Sequence, residues 1–536
     1  HPSGVRISGA PGVGKSRLVA EFVARLDESP EPPVLIAVAA RAQATDAPFS
    51  VAIDYMQAAL SLAPGRGEQA RAELTSRLSS ILREADIGND RVAESCQAIE
   101  MAMELRDGAL SHSTQAPAAL RERCSESIRC LQQVLTGDGS CVIVLENLHL
   151  ADAASIEVLR LLLEGEACDN ASLVVMTCRD ETSPAKGMAE ENFISLGDLS
   201  EKDSAELIGD RLADTRSREL IAEVARRAGG NPLYIEELCR NIREVGWDET
   251  PATVRDTVVS RIDRLSPRSR AVLQRAAVIG ESFRARILEE LIAAPATEDL
   301  QELVEEGLLA RSDQAEFDAE GGEYYFRHGL IQEVVYASLS AGARKATHAR
   351  LGGLLSLREQ AGREEPLVLT ARHLELGGLS AESVGYWTKA GRAALAAFET
   401  PAARDAFDHA LQLYDTLDPV AQKAQEAYRV EALFGRARAS RSLGNYQQQG
   451  VDLKTLSSLV EDSPPAKADL LARKADRHLR SGSYTQAMEE AESAANIASE
   501  CEAPRVEADA LRIISEIYEK LGQYDEGLDV ARRGLS

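Results

Sequence analysis

Aromatic residues and cysteines are scarce in this chain, and each scarcity excludes a class of fold or site. Phe, Trp and Tyr make up only 4% of the 536 residues while Ala and Leu are abundant, which favours helical packing over β-sandwiches. The eight cysteines are scattered and include no C-x-x-C pair, so neither a zinc site nor a disulfide framework is indicated. Reduced thiols in a cytosolic protein are the plain interpretation.

Positive charge and long apolar runs are also lacking. Lys and Arg total 60 against 86 Asp and Glu, a formal net charge of −26, which makes these residues poor partners for DNA or RNA. The sequence has no signal peptide and no apolar run of about 18 residues, so we expect no membrane span and a cytoplasmic location. A basic domain outside the given residues is not excluded.

The length predicts several domains. A chain of 536 residues is too long for one hydrophobic core, and at about 100–200 residues per domain it suggests roughly three to five domains. The first residue lies only a few positions before a predicted strand, which is an unusual place for a natural start. We therefore expect that sequence preceding it has been removed.

The strongest motif stands at the start of the chain. An apolar strand, Val5 to Ser8, leads into an octapeptide that matches G-x-x-x-x-G-K-[ST] and then into an amphipathic stretch ending at Leu26. These are the three contexts that a P-loop needs. In such a loop, backbone N–H groups form an anion-binding nest, the lysine reaches the β- and γ-phosphates, and the hydroxyl ligates Mg²⁺. The expected nucleotide-contacting residues are Gly9, Ala10, Pro11, Gly12, Val13, Gly14, Lys15, Ser16 and Arg17.

Continuous apolar runs predict three further buried strands, at Val34–Ala39, Cys141–Leu145 and Leu173–Thr177. Such runs are typical of a parallel sheet covered on both faces. The third strand ends in Glu146, where the carboxylate that organises Mg²⁺ belongs in a P-loop NTPase, so Ser16 and Glu146 are the expected metal ligands. The sequence therefore predicts an α/β domain with a parallel sheet.

The rest of the chain, from Leu199 onward, is predicted to be helical, with a short wing-like strand at Glu323–His328. In the last part, G-x-Y triplets end at Tyr446, Tyr484 and Tyr524, roughly 40 residues apart, each between two helical runs. This period is close to that of tetratricopeptide repeats and predicts an α-solenoid of helix pairs. The triplets are interpreted as turns between packed helices rather than as ligand contacts.

These motifs together resemble one family, the STAND class of signal-transduction P-loop ATPases. This AAA+-like class occurs in large LuxR-type transcriptional activators and in ATPase-linked class III adenylyl cyclases. Gly9–Ser16 looks like the Walker A motif, and Val142–Asp152 resembles the Walker B segment with Glu146 at its first acidic position. Gly230–Leu233 is similar to the G-x-P motif, and Phe326–Gln332 looks like a winged-helix segment of the family.

The resemblance implies a role for individual residues. Arg179 falls where the family has a sensor arginine, Pro232 would pack on the adenine, and His328 would hold the β-phosphate of ADP in the inactive state. Asn147 replaces the acidic residue that polarises the attacking water in the family, and an amide cannot accept a proton as a general base. We therefore expect nucleotide binding with slow or negligible hydrolysis. The catalytic candidates are Lys15, Glu146, Asn147 and Arg179.

Three of these residues also have a structural interpretation. Glu146 can be a strand-end carboxylate with a structural partner. Arg179 can simply neutralise Asp180 or Glu181 in a surface ion pair. His328 can be a buried interface histidine without a ligand.

The predicted domains follow from the motifs and the resemblance. They are a P-loop nucleotide-binding domain at 1–198 with a helical insertion at about 47–136, a helical lid at 199–248, a winged-helix domain at 249–364, and TPR-like repeats at 365–536. The implied cofactors are ATP or ADP with Mg²⁺.

The function that the resemblance implies is a nucleotide-controlled switch that regulates an output, transcription being the first expectation. A class III adenylyl cyclase or protein kinase output is the alternative, because Tyr386–Gly391 resembles a turn common in cyclase-linked members. A nucleotide-bound scaffold is the second alternative. The expected partners are a protein or small-molecule inducer on the repeats and further copies of the chain in a nucleotide-dependent homo-oligomer, with no direct nucleic-acid binding by these residues and no membrane.

Overall fold

The computed structural model divides the chain into two compact units, residues 1–379 and 380–536. Short segments lie outside the described residues: 1–2, 41–47, 63–66, 86, 107–116, 138, 165–171, 180–187, 189–191, 213–216, 246–253, 312–321, 364, 398 and 535–536. No helix within the described ranges has the length and apolar character needed to cross a bilayer.

The first unit opens with a parallel sheet. Its strands are β1 (Ser3–Gly9), β2 (Val34–Ala39), β3 (Cys141–Glu146), β4 (Ser172–Cys178) and β5 (Phe193–Leu196). They lie in the order β2-β3-β4-β1-β5, and every neighbouring pair is parallel. The predicted fold class, a parallel α/β domain followed by helical regions, is therefore confirmed. The strand β5 was not predicted, because its four residues are half-buried or exposed and form no continuous apolar run.

Helices cover the sheet and complete its core. α1 (Lys15–Asp27) follows β1 and presents Val19, Phe22 and Val23 to apolar residues of β1, β3 and β4. α6 (Ala153–Glu164) follows β3. Because the connections between these parallel strands cross over the sheet, the loops at the strand carboxyl ends converge at one edge.

The insertion between β2 and β3 is a group of helices, as predicted. They are α2 (Ser50–Ala59), α3 (Gly67–Glu84), α4 (Asn89–Arg106) and α5 (Pro117–Thr136). Asp152, at the start of α6, anchors this group because its Oδ1 accepts hydrogen bonds from the backbone N–H groups of Phe49 and Ser155, both at 2.8 Å. Its burial raises the pKa of the Asp152 carboxyl to about 6.

A three-helix domain follows the sheet. Its helices are α7 (Glu201–Arg211), α8 (Arg218–Ala228) and α9 (Pro232–Val245). The hydroxyls of Ser200 and Ser217 cap the first two helices by accepting backbone N–H groups of their first turns. Ile208, Val224 and Leu238 form the centre of its core.

The next elements combine helices with a small sheet. They are α10 (Val254–Arg264), α11 (Pro267–Ile279), β6 (Ser282–Arg284), α12 (Ala285–Ile292), α13 (Thr297–Glu305), β7 (Leu309–Arg311), β8 (Glu323–Phe326), α14 (Gly329–Ser338), α15 (Ala341–Gln360) and α16 (Leu367–Leu376). The strands pair antiparallel in the order β6-β8-β7. The prediction of a helical chain after Leu199 is therefore wrong at β6 and β7, since three-residue strands leave no readable alternation. The winged-helix interpretation of this region stays a prediction.

One side chain belongs to two cores. Leu330, on the first turn of α14, packs both against the α7–α9 core and against the core of the α10–α15 region, whose most enclosed aromatic residue is Phe283. The two helical domains of the first unit therefore share an apolar contact.

The second unit is a series of antiparallel helix pairs. Its helices are α17 (Ser380–Ala396), α18 (Thr400–Asp415), α19 (Pro419–Ala424), α20 (Glu426–Ser442), α21 (Tyr446–Leu459), α22 (Pro464–Arg480), α23 (Tyr484–Glu500), α24 (Pro504–Lys520) and α25 (Tyr524–Gly534). Gly444, Gly482 and Gly522 each follow a helix with φ of 74°, 80° and 76°, a conformation that glycine adopts without strain. The predicted helical repeats are confirmed, and the G-x-Y triplets are the turns within the helix pairs.

Candidate nucleotide-binding site

The P-loop connects β1 to α1 at the carboxyl edge of the sheet. Gly12 and Gly14 have φ of 83° and 101°, which turn backbone N–H groups in a way that residues with a side chain rarely permit. Lys15 Nζ donates hydrogen bonds to the carbonyl oxygens of Gly9 at 2.7 Å and Ala10 at 3.0 Å, so the lysine closes the loop on itself. Burial lowers the pKa of Lys15, and the nearby charge of Arg179 lowers it further.

The other predicted loop residues divide into a buried and an exposed set. The Val13 side chain is buried, and Gly9 lies so close to it and to the Leu196 backbone that a Cβ at this glycine would collide with both. Ala10, Pro11 and Arg17 are exposed. The loop therefore has a packed underside and an accessible upper side, as a phosphate cradle requires.

Ser16 and Glu146, the residues expected to bind a metal ion, lie in contact with each other. The Ser16 hydroxyl donates a hydrogen bond to Glu146 Oε2 at 2.6 Å. A hydroxyl and a carboxylate are oxygen ligands of the kind that Mg²⁺ prefers, and magnesium keeps several waters beside one or two such protein ligands. The residues present fit a nucleotide-bound Mg²⁺ ion.

Asn147 stands directly after β3 with its backbone in the left-handed region, at φ 57°. Its N–H donates to the Thr177 hydroxyl at 2.9 Å, which fixes this backbone to the end of β4. A left-handed residue other than glycine is uncommon, and asparagine is among the few types that tolerate it. The position is thus held by the fold, while the amide side chain supplies no general base.

Arg179 follows β4 and pairs with a residue of another domain. Its Nη2 lies 3.3 Å from Oε1 of Glu281, and both side chains are 42% exposed. Gly329, the first residue of α14, lies against the same pair. The alternative partners predicted for Arg179, Asp180 and Glu181, lie outside the described residues. Nothing in the sequence around Glu281 indicated this contact.

The G-x-P motif contacts the P-loop directly. Asn231 Nδ2 donates to the Pro11 carbonyl oxygen at 3.2 Å, and the Leu233 N–H donates to the Gly12 carbonyl at 3.3 Å. Asn231 Oδ1 also accepts from the Leu233 N–H at 3.1 Å, which orients the amide. Pro232 itself is half-buried as the first residue of α9, where a proline loses no helical hydrogen bond. The resemblance implies a role for Pro232 alone, whereas the contacts with the loop come from its neighbours Asn231 and Leu233.

The glycine of this motif has a separate function in packing. Gly230 has φ of 80°, and its carbonyl accepts the Leu199 N–H at 2.8 Å. A Cβ at this position would lie 2.6 Å from the Leu199 carbonyl oxygen. Only glycine fits this turn, which delivers Asn231 to the loop.

His328 lies at the junction of α9 and α14. Burial lowers its pKa, and the charges acting on it come from Glu237, Arg327, Glu236 and Arg240. Its side chain makes no hydrogen bond to any residue that the structure describes, the P-loop included. The structure therefore brings Lys15, Ser16, Glu146, Asn147, Arg179 and Asn231 to one edge, and it places His328 beside α9 instead.

Family comparisons agree with this geometry. Residues 1–176 match the family model described as AAA ATPase domain, and residues 200–245 match a domain of unknown function (DUF8739). An uncharacterized protein of Rhizobium meliloti (strain 1021) is 25% identical over 332 residues, which are 57% of this chain and 31% of that protein. The chain thus spans about a third of the length of this curated relative.

Comparison with solved structures gives three further proteins of low identity to this chain. The first is a Signal Transduction ATPase with Numerous Domains (STAND) protein with a tetratricopeptide repeat sensor from Pyrococcus horikoshii, 16% identical, with a TM-score of 0.41 over 100% of this chain and 74% of that chain. A Walker-type ATPase of Pyrococcus abyssi is 14% identical, with a TM-score of 0.26 over 62% of this chain and 91% of that chain. The Aeropyrum pernix ORC1 protein, solved in complex with DNA, is 14% identical, with a TM-score of 0.27 over 63% and 87%.

The family match falls on the part of the chain that builds the site. The AAA ATPase match covers the P-loop, Glu146 and most of β4, which are the elements that build the site. The helical domains and repeats follow in the order that the sequence resemblance implies. Residues 1–176 are similar to the AAA ATPase domain family, and the chain combines this P-loop domain with helical regions and a helical-repeat C-terminal part.

Proposed function

We propose that this protein is a signal-transduction switch in which ATP or ADP, held with Mg²⁺ by the P-loop, controls the arrangement of the later domains. The observation that carries the proposal is the docking of Asn231 and Leu233 on the backbone of Pro11 and Gly12. Because of these contacts, a change in the conformation of the phosphate-binding loop also moves the helical lid that carries Asn231 and Leu233.

The residues divide the work of binding. Lys15 would exchange its contacts with Gly9 and Ala10 for the phosphates, and the loop N–H groups would complete the cradle. Ser16 and Glu146 would hold the Mg²⁺ ion, which neutralises phosphate charge. Because Asn147 cannot take a proton from water, turnover is slow and the bound nucleotide persists.

Arg179 offers a contact that depends on the nucleotide. Its ion pair with Glu281 is exposed, and such pairs contribute about 0–1 kcal/mol. Arg179 therefore exchanges Glu281 for another anion at the same sheet edge at little cost. We infer that the terminal phosphate of ATP competes with Glu281, whereas ADP leaves the pair intact.

The remaining assignments belong to the same proposal. The domains are those expected from the sequence, with boundaries at 198, 248 and 364, and the region at 249–364 is a winged helix. An inducer acts on the repeats, and the switch regulates transcription in the cytoplasm, through conformational change or nucleotide-dependent oligomerisation. His328 contacts ADP only after a rearrangement that brings α14 toward the P-loop.

Nucleotide binding by Lys15→Ala tests the proposal. The parent binds a fluorescent ADP analogue with Mg²⁺, and the variant loses binding by about 100-fold or more, because the Lys15 ammonium lies against the loop carbonyls and its charge-assisted contacts with the phosphates are lost. Lys423→Ala, on an exposed helix of the repeats, is the matched control and retains parental affinity. Equal affinity in Lys15→Ala would overturn the proposal. Light scattering with ATP and with ADP separates a switch from a scaffold, since a scaffold assembles equally with either.

A further inference from the structure

A groove in the repeat unit is lined by an unusual number of arginines. The groove is formed mainly by the facing surfaces of α20, α22 and α24. Its volume of about 550 Å³ is within the range of about 300–1,000 Å³ that is typical of small-molecule sites. The charged residues that line it are Arg392, Glu431, Arg438, Arg441, Asp469, Arg473, Asp476, Arg505, Asp509 and Arg512. Arginines thus outnumber acids in the groove, whereas the whole chain has a formal charge of −26.

Two of these arginines have no ion-pair partner among the residues that the structure describes. Arg438 and Arg505 form no ion pair or hydrogen bond with any residue in the described part of the chain, although both side chains are exposed to the groove. Partial burial of Arg438 and the charges of Arg473 and Arg505 lower the pKa of Arg438, and the charges of Asp509 and Asp469 offset this only in part. An anion bound beside Arg438 would therefore add to the partial neutralisation that these two carboxylates provide.

Most of the acids in the groove are already paired. Arg441 lies 2.8 Å from Asp476, and Arg473 lies 2.8 Å from Asp469. Asp509 forms no ion pair with any residue that the structure describes, although its charge acts on Arg438, and it lies on the same helix as Arg505. Because acidic residues on successive helices accompany the arginines, the excess positive charge lies at one place in the groove, beside Arg438 and Arg505. A long acidic segment would be repelled by the acids elsewhere in the groove.

An apolar surface adjoins the unpaired arginines. Arg473 packs over the ring of Phe434, with 5.2 Å between the guanidinium carbon and the ring centroid. Val506 and Ile513 line the facing side on α24. A ligand that fits this groove therefore carries negative charge at one end and an apolar body at the other.

We propose that the groove binds a compact organic anion, whose phosphate or carboxylate group is held by Arg438, Arg473 and Arg505 and whose apolar part lies against Phe434. Guanidinium groups bind both kinds of oxyanion through paired N–H donors. The assignment of this ligand as the inducer rests on the proposed function, while the binding itself does not.

The experiment measures anion binding to the full chain by calorimetry at constant ionic strength, with citrate and pyrophosphate as probes and chloride as the reference. Saturating ADP with Mg²⁺ occupies the P-loop during the measurement. The Arg438→Ala variant is expected to bind the probes at least about tenfold more weakly than the parent, because charge-assisted hydrogen bonds are lost. Its thermal midpoint without probe stays at or above that of the parent, since Arg438 has no partner to lose. The matched control Arg532→Ala, at an exposed position of α25, retains parental binding.

The outcomes separate the two proposals. Retained probe binding by Lys15→Ala, which lacks nucleotide binding, supports the groove and leaves it independent of the P-loop. Loss of probe binding in Lys15→Ala with retention in Arg438→Ala would overturn the inference, because the anion would then occupy the P-loop. Absence of binding to either probe, or tighter binding of a poly-glutamate peptide than of both probes, would overturn it as well.

Discussion

In the nucleotide-binding domain, Ser16 and Glu146 are 130 residues apart in sequence and meet at 2.6 Å. In the repeat unit, Arg438, Arg473 and Arg505 stand on successive first helices of the repeats, about one repeat apart. The first site exists only when the whole sheet has formed, because strands from both ends of the domain position its residues. The second is built by neighbours alone. Substitutions far from Ser16 and Glu146 in the first unit should therefore still affect that site. Substitutions in the repeats should affect only the neighbouring repeats.

The largest expected effect concerns the end of β3, where the sheet fixes the backbone and one side chain sets the chemistry. Asn147→Asp restores a carboxylate, and we expect phosphate release from ATP to rise by about 100-fold, within the range of 10²–10⁴ for a positioned general base. The hydrogen bond to the Thr177 hydroxyl comes from the backbone N–H of residue 147 and should survive. Asn445→Asp, at the cap of α21 in the repeats, is the control and should leave turnover unchanged.

Rapid hydrolysis by the parent would contradict this prediction, since another residue would then act as the base. An inactive Asn147→Asp variant with normal nucleotide affinity would show that the carboxylate alone does not position the water.

A smaller effect compares two asparagines that each satisfy backbone groups. Asn231→Ala removes the amide contact with Pro11, and we expect nucleotide affinity to fall by about tenfold, because the loop loses a brace worth roughly 1 kcal/mol or more. Asn445→Ala removes the cap of α21 and should cost the repeats about 1 kcal/mol without changing nucleotide affinity. The measurements are nucleotide titration and thermal unfolding of both variants.

The expectation that only the first-unit asparagine supports nucleotide binding would be wrong if Asn445→Ala weakened nucleotide binding as much as Asn231→Ala does. It also fails if Asn231→Ala lowers thermal stability but leaves affinity unchanged.

The last prediction is a pH dependence that arises from one carboxyl of the first unit, Asp152. Burial raises the pKa of Asp152 to about 6, so between about pH 4 and pH 6 the folded chain binds a proton that the unfolded chain has lost. Stability from this group therefore falls as pH rises through that window, by at most about 3 kcal/mol. Asp152→Asn keeps an acceptor for Phe49 and removes the titration. Its thermal midpoint relative to the parent should rise by a few degrees from pH 4 to pH 7.

Asp525→Asn, which removes one exposed charge from α25, controls for the change in net charge. A difference between Asp152→Asn and the parent that is the same at pH 4 and pH 7 would contradict the prediction.

Much of the first unit is predictable because its signals are short and chemically strict. The P-loop between Val5 and Leu26, the apolar runs of β2, β3 and β4, and Glu146 at a strand end are read from the residues alone, and the structure has all of them. The repeats are also readable, because a glycine recurs at each turn.

The contacts between domains are not predictable in this way. Glu281 is one of 86 acidic residues, and nothing in its neighbours marks it as the partner of Arg179. Asn231 lies within a recognised motif, but its bond to Pro11 depends on how α9 approaches the loop. The groove arginines were missed because an arginine on a helix surface has the same pattern whether or not it has a partner.

Leu330 restricts the relative motion of the two helical domains of the first unit, because it packs against both of their cores. Its side chain fills space in two cores at once, so the domains on either side cannot turn relative to each other without exposing it or leaving a hole in one of them. Withdrawing a leucine from an apolar environment costs about 1.5–3 kcal/mol when burial is complete, and somewhat less for a half-buried side chain. Intermediate arrangements are therefore disfavoured, and any motion between these domains should proceed as a jump between two seated positions rather than as a gradual drift.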